Sequence, residues 1–250
     1  MPAPTTARSV RSRVAESVRR LRAVGDPERA QRQRRYFKVY ERVRFFGVVA
    51  PDVRRIGREV FGEVRKIWTV DDAVAYCDAL VRRPELEAKV LGLLVLARFE
   101  RSFRTQLLGT VKQWLLRDFL ATWAAVDAVS PWVIAPLIGR YPDLGYAVKG
   151  WTRPRSLWVR RAALVSFIPL ARRGDRLDDA YDTAEALFGD SHDLIHKATG
   201  WLLREAGKTN MARLERLLRR HGPRIPRTAF RYAIERFPER KRRALLEVTK

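Results

Sequence analysis

The sequence has one cysteine, two methionines and only 28 acidic side chains against 51 basic ones among its 250 residues. A single cysteine excludes an internal disulfide framework and any zinc module built from several cysteines. No apolar run is long enough to span a bilayer, and no apolar segment typical of a secretory signal is visible, so we expect a cytoplasmic protein without a membrane partner. The Walker A loop, the dinucleotide glycine fingerprint and the G-x-S-x-G elbow are also missing.

The basic excess is concentrated at the two ends of the chain. The net charge of +23 predicts a polyanionic partner. Residues 1–60 and 201–250 each carry a net charge of +10, whereas residues 61–200 carry only +3. Two interpretations fit this distribution equally well: basic flanks of a groove that binds a polyanion, or solvated helix faces with basic tails. Most of the cations are arginine, which suits bidentate contacts with phosphate.

Apolar residues recur at helical spacing through most of the chain, as at Leu214, Leu217 and Leu218, and no hairpin signal interrupts them. Short turns rich in Pro, Gly and Asp leave room for about a dozen helices. We therefore predict one all-α domain over residues 1–250, a HEAT-like helical-repeat solenoid, with a globular helical bundle as the alternative. Residues 1–25 are expected to form a basic, partly flexible N-terminal helix.

Some side chains are unusual for plain core helices. Trp123 and Asp127 are four residues apart, which places an indole and a carboxylate on one helix face. A core Trp beside a surface or capping Asp is the simpler interpretation of this pair. Arg160 and Arg161 precede a strongly apolar run, so one of them must lie near the buried face of that run. Such an arginine needs an anion or a carboxylate as its partner.

Other notable residues favour structural roles. Gly200 in mid-helix costs about 1 kcal/mol relative to Ala, which indicates a close helix approach or room beside Trp201. His192 and His196 share a helix face, but no third ligand follows at a metal-binding spacing. We predict surface or capping histidines and no metal site. Cys77, in an apolar-periodic helix, is predicted to be buried.

A series of short motifs extends over residues 30–240. They are Tyr36-Phe37-Lys38, Phe46-Gly47-Val48, Ala50-Pro51 followed by Arg54-Arg55, Trp123-Ala-Ala-Val-Asp127, Trp158-Val-Arg-Arg161, Lys197-Ala-Thr-Gly-Trp201 and Thr228-Ala-Phe-Arg-Tyr-Ala-Ile-Glu235. Each motif is weak alone, but their order and spacing together are specific. In this order the chain resembles the DNA alkylation repair family, the AlkD-like DNA glycosylases.

The resemblance implies HEAT-like repeats with a basic concave DNA-binding surface. It also implies base excision repair, with hydrolysis of the N-glycosidic bond of cationic N3- and N7-alkylpurines in double-stranded DNA. Catalysis would fall to Asp127, Trp123 and Trp201. Asp127 would stabilise an oxocarbenium-like sugar and position water, and the two indoles would pack against that sugar. The resemblance also implies that no pocket for a flipped base is needed. We expect a monomer that is associated with the nucleoid and needs no cofactor.

The same resemblance assigns DNA contacts to basic and aromatic side chains, namely Arg161, Arg54, Tyr36, Lys38, Arg55, Arg160 and Lys197. Departures from the family pattern at Phe37, Thr122 and Ala124 leave the three catalytic candidates in place. Two other hypotheses stay open. The chain could be a non-catalytic relative that binds damaged, bent or branched DNA, or a helical scaffold for RNA or an acidic protein.

Overall fold

Many helices begin where the sequence places a proline or a small polar side chain. The Asp26 carboxylate accepts a backbone N–H of the first turn of α2 (Pro27–Arg34) at 3.0 Å. A capping box between Thr69 and Asp72 opens α4 (Val70–Val81). Because such side chains satisfy N–H groups that the first turn leaves unpaired, they define where each helix begins.

The computed structural model describes residues 4–247, with side chains from residue 9 onward. This part of the chain contains no β-strand, apart from one isolated bridge between Arg44 and Glu85. Residues 4–23 of the predicted N-terminal helix are helical, and its first three residues lie outside the described part. The chain divides into two compact units, one up to Pro136 and one from Leu137. The single domain over residues 1–250 stays a prediction.

The first unit contains α1 (Pro4–Ala23), α2, α3 (Ala50–Val64), α4, α5 (Leu86–Ala97), α6 (Gln106–Leu116), α7 (Trp123–Val129) and a π turn (Ser130–Ile134). Helix α8 (Ala135–Arg140) crosses the boundary. The second unit contains α9 (Leu144–Lys149), α10 (Leu157–Arg172), α11 (Leu177–Glu185), α12 (Asp193–Gly207), α13 (Met211–His221), α14 (Arg227–Ala233) and α15 (Glu239–Leu246).

Helix α5 is the centre of the first unit, where it packs against α3, α4 and α7. Its buried residues include Leu91 and Leu93, which have no exposed surface. Helix α1 packs against α3 and α4, and Ser17 on α1 accepts a hydrogen bond from the Tyr76 hydroxyl at 2.7 Å. This buried polar pair ties the N-terminal helix to the core, because neither hydroxyl has access to water.

Helix α12 is the centre of the second unit and packs against α10, α11, α13 and α14. A Cβ at Gly200 would lie 2.5 Å from the carbonyl oxygen of Ala229 and would also collide with Tyr232 on α14. The close helix approach predicted for Gly200 is therefore confirmed, since only glycine leaves room for the neighbouring backbone. Helices pack on helices in both units, which confirms the prediction of an all-α fold of helical repeats.

A buried lysine joins two segments of the first unit. Lys89 on α5 is 7% exposed, and its Nζ donates to the carbonyl oxygens of Val81 at 2.5 Å and Phe119 at 2.6 Å. Burial lowers the pKa of Lys89 to about 8. A neutral amine still has two N–H donors, so both carbonyl acceptors keep a partner after the proton is lost.

We expect the stabilising contribution of Lys89 to increase between about pH 8 and pH 10.5. The pKa of about 8 in the folded state lies below the ordinary value of 10.5. The unfolded state therefore binds more protons in this window, and the free energy of unfolding rises with pH. The measurement is urea unfolding of the wild type and Lys89→Met, and their difference should grow by about 1–3 kcal/mol. A difference in unfolding free energy that does not change with pH would contradict this prediction. The control is Lys66→Met, because Lys66 is exposed.

Candidate active site

Helix α7 carries Trp123 and Asp127 on its less buried side. Thr122 precedes the helix in an extended conformation, and its Oγ1 accepts the N–H of Ala125 at 3.1 Å. Ala125 and Val126 are buried, whereas Trp123 and Asp127 are half-buried. The indole and the carboxylate therefore share an accessible face one turn apart, as their spacing predicts.

Glu41 determines where α7 begins. The residue is 1% exposed, and its two carboxylate oxygens accept the backbone N–H groups of Trp123 and Lys38, each at 3.0 Å. A negative charge at this end of a helix is stabilised by the unpaired N–H groups and by the helix dipole. The buried Glu41 carboxylate thus connects the loop that contains Lys38 to Trp123, the first residue of α7.

The ring of Phe37 supports the indole of Trp123. The two rings are stacked with centroids 5.1 Å apart and planes inclined by 12°. Phe37 also contacts the ring of Phe45, with ring centroids 5.3 Å apart and ring planes inclined by 51°. These contacts hold the Trp123 side chain in one orientation, because aromatic pairs have preferred geometries.

A second buried carboxylate shapes the segment that leads into α3. Glu87 accepts the backbone N–H groups of Phe46, Gly47 and Val48 at 3.1, 2.9 and 3.1 Å. Burial raises the pKa of Glu87, and these hydrogen bonds act in the opposite direction. Gly47 has φ +78°, and a Cβ there would collide with the carbonyl oxygen of Asp26. Glycine is therefore required at this turn.

Two adjacent arginines on α3 have different surroundings. Arg55 pairs with Glu59 at 2.8 Å and with Asp52 at 3.3 Å, and these partners raise its pKa. Arg54 is exposed, and no residue in the described part of the chain forms a hydrogen bond or ion pair with its side chain. Arg54 therefore presents a free guanidinium, whereas the charge of Arg55 is already balanced.

In the second unit, the two arginines at the start of α10 are held by the protein. Arg161 is 5% exposed, and its Nη1 donates to the carbonyl oxygen of Leu194 at 2.6 Å. This confirms that one of the pair lies at the buried face. Arg160 pairs with Asp190 at 2.6 Å and also donates to two loop carbonyls.

Helix α12 carries the remaining candidates of the second unit. Trp201 is half-buried and follows Gly200, the point of contact with α14. Lys197, one turn earlier, pairs with Asp193 at 2.8 Å, and this contact raises its pKa. Trp201 is thus placed on a helix whose position is set by close backbone packing rather than by side chains alone.

Residues 18–237 match the family model described as DNA alkylation repair enzyme. The chain belongs to the DNA alkylation repair family. Among solved structures, a predicted DNA alkylation repair enzyme from Enterococcus faecalis is similar to it, with a TM-score of 0.76 and 19% identity over 86% of this chain and 97% of that chain. At this identity the likeness shows the fold alone. No curated protein matches the chain significantly.

Membership confirms the resemblance seen in the motifs. It gives this DNA alkylation repair protein a role in the repair of alkylation damage, with DNA as the partner that the family suggests. Within the described residues, no helix has the length and apolar character needed to cross a membrane.

The other reactive side chains of this family member have structural surroundings. His192 caps α12, where its Nδ1 accepts the N–H of Leu194 at 3.1 Å, which confirms the capping role. Nε2 of His196 lies 2.5 Å from the carbonyl oxygen of Asp190. Cys77 is buried as predicted, and burial raises the pKa of its thiol. The described residues contain no cluster of His, Cys, Asp and Glu that could hold a metal ion.

Glu41 and Glu87 were missed by reasoning from sequence, although each left a signal. Glu41 is the only acidic residue between Glu28 and Asp52, in a stretch with seven basic side chains. Glu87 stands at the start of a strongly apolar helix. An isolated acid in such surroundings indicates a buried carboxylate with dedicated donors, because an unpaired one would be too costly.

Glu41→Ala should destabilise the protein by about 2–4 kcal/mol, since it leaves the N–H groups of Trp123 and Lys38 without their acceptor. Glu41→Gln should lie between this variant and the wild type, because the amide keeps one acceptor oxygen. The measurement is the free energy of unfolding in urea. The control is Glu28→Ala, whose exposed partner Arg32 lies 3.5 Å away, with an expected loss below about 0.5 kcal/mol. Equal losses at Glu41 and Glu28 would refute this role.

Proposed function

We propose that this protein is a DNA glycosylase that hydrolyses the N-glycosidic bond of cationic N3- and N7-alkylpurines in duplex DNA. The observation that carries the proposal is the pairing on α7 of an oriented indole, Trp123 on Phe37, with the Asp127 carboxylate one turn away. Membership of the DNA alkylation repair family supports it at a coarser level. We further propose that the protein acts as a cytoplasmic monomer on nucleoid DNA.

The proposed reaction follows from the charge on the damaged base. Alkylation at N3 or N7 makes the purine cationic and therefore a good leaving group, so no strong general acid is required. As the bond between C1′ and N9 breaks, its electron pair goes to the purine, which departs as a neutral molecule. The sugar takes on the oxocarbenium charge, and water adds at C1′ to leave an abasic site.

Asp127 has two roles in this proposal. Its carboxylate stabilises the positive charge that develops on the sugar, and it accepts a proton from the attacking water. Trp123 packs against the sugar, and the face of its indole attracts the same charge. For Trp201, the packing role stays a prediction that the family resemblance implies. The stacking of Phe37 supports the assignment of Trp123, because an indole that is already ordered loses little entropy on binding.

The proposed DNA contacts fall into two groups. Arg54, Lys38 and Tyr36 are exposed. We assign Arg54 and Lys38 to the phosphate backbone, and Tyr36 to a contact with DNA through its ring. The second group has protein partners: Arg55, Arg160, Lys197 and Arg161. We expect this second group to add less to affinity, because DNA must compete with a partner that is already in place.

Asp127→Asn should lower the single-turnover rate of base release by about 100-fold or more, because the amide keeps the shape but removes the charge. The measurement is release of free methylated purine from alkylated duplex DNA at enzyme excess. Asp143→Asn is the control, since Asp143 is exposed and its side chain forms no capping hydrogen bond. If Asp127→Asn released methylated purine at the wild-type rate, the role assigned to the Asp127 carboxylate would be wrong.

The same assay separates the glycosylase from its alternative. If the wild type binds alkylated duplex DNA but releases no N3- or N7-alkylpurine at enzyme excess, the protein is a non-catalytic DNA-binding relative. If it binds RNA as tightly as duplex DNA over a salt series, the scaffold hypothesis is favoured instead.

Arg54→Ala should weaken binding to undamaged duplex DNA and reduce the slope of log affinity against log salt by about 0.9, the value for one phosphate contact. Arg55→Ala is the matched control on the same helix. Its effect should be less than half as large, because Glu59 and Asp52 already balance its charge. Equal slopes for the two variants would contradict the assignment of Arg54.

A further inference from the structure

A short loop of the first unit exposes apolar side chains among basic ones. Val39 is 90% exposed, Tyr36 is 79% exposed and Tyr40 is 50% exposed. Arg35 and Lys38 are their exposed neighbours in the same loop. Single exposed apolar residues are common on protein surfaces, but a group of them at one loop tip indicates a surface that meets a partner. The basic neighbours suit a polyanion.

This loop is held rigidly despite its exposure. The Arg34 guanidinium donates to the carbonyl oxygens of Phe37 at 2.8 Å and Lys38 at 3.2 Å. The N–H of Glu41 donates to the carbonyl oxygen of Lys38 at 3.1 Å, and the Glu41 carboxylate accepts the N–H of Lys38. An apolar tip with a fixed backbone loses little conformational entropy when it enters a partner.

The loop is also coupled directly to Trp123. Phe37, between Tyr36 and Lys38, stacks on the indole of Trp123, and Glu41 binds the N–H groups of both Lys38 and Trp123. The exposed tip and the indole are therefore parts of one rigid arrangement.

We propose that residues 36–40 form an apolar wedge that enters duplex DNA and unstacks a base step beside the damaged nucleotide, with Val39 and Tyr36 as the inserted side chains. The inference rests on the proposed function for the position of the damaged nucleotide beside Trp123. Apolar side chains inserted at a base step unstack it and kink the duplex. The kink would expose the sugar and its glycosidic bond to Asp127 without a pocket for a flipped base.

The test uses a duplex that contains a tetrahydrofuran abasic-site analogue, which the enzyme cannot hydrolyse, next to a 2-aminopurine. Saturating wild-type protein should raise the 2-aminopurine fluorescence several-fold as this base loses its remaining stacking partner, on the side away from the abasic analogue. Val39→Ser and Tyr36→Ser should each reduce this enhancement at least threefold at saturation. Val39→Leu should retain it, because a larger apolar side chain still fills the opened step.

The control is Ile67→Ser, which removes an apolar side chain of 63% exposure outside this loop. It should leave the fluorescence enhancement unchanged. Thermal unfolding of each variant checks that the fold is intact, and the exposure of Val39 means that its replacement should leave the transition temperature unchanged. Asp127→Asn should give the wild-type enhancement, since unstacking precedes hydrolysis.

Two results would overturn the wedge: no fluorescence enhancement by saturating wild-type protein, or an undiminished enhancement with the double variant of Val39→Ser and Tyr36→Ser. The outcome is separate from that of the glycosylase proposal. Base release without Val39-dependent unstacking removes the wedge alone. Val39-dependent unstacking without base release removes the glycosylase alone and retains the wedge as a mode of DNA distortion.

Discussion

The buried carboxylate of Glu41 is the contact on which the candidate site depends. It accepts one backbone N–H from the exposed loop and one from the first residue of α7. These two hydrogen bonds orient the helix that carries Asp127 and place Phe37 against Trp123. Because an unsatisfied buried carboxylate or N–H group is costly, the arrangement has few alternatives of similar free energy.

The ion pairs of the basic side chains indicate better than the net charge of +23 where the protein could contact phosphate. Many arginines are balanced by an acid three or four residues away on the same helix, as Arg55, Arg219 and Arg243 are. Arg54 has no such partner among the described residues. Phosphate contacts are therefore expected where pairing is incomplete, because a free guanidinium needs to give up only water to reach DNA.

Buried charges connect distant segments in both units. Lys89 joins the end of α4 to the segment before α7, and Arg161 joins α10 to the first turn of α12. In both cases the cation donates to backbone carbonyls, which satisfies groups that would otherwise be left without water. Charged residues in this fold thus serve as internal cross-links.

Periodicity along the chain predicted the helices, the shared face of Trp123 and Asp127, and the burial of Cys77. For Gly200 it left a close helix approach as one of two explanations. These features depend on periodicity and on backbone freedom within one helix, which are local properties. Packing between distant segments brings Glu41 to the N–H of Trp123 and stacks Phe37 on the indole. It also buries Arg161 more deeply than Arg160. Those outcomes depend on which distant segments meet, because a buried polar group or ring finds its partner through packing rather than through spacing along the chain.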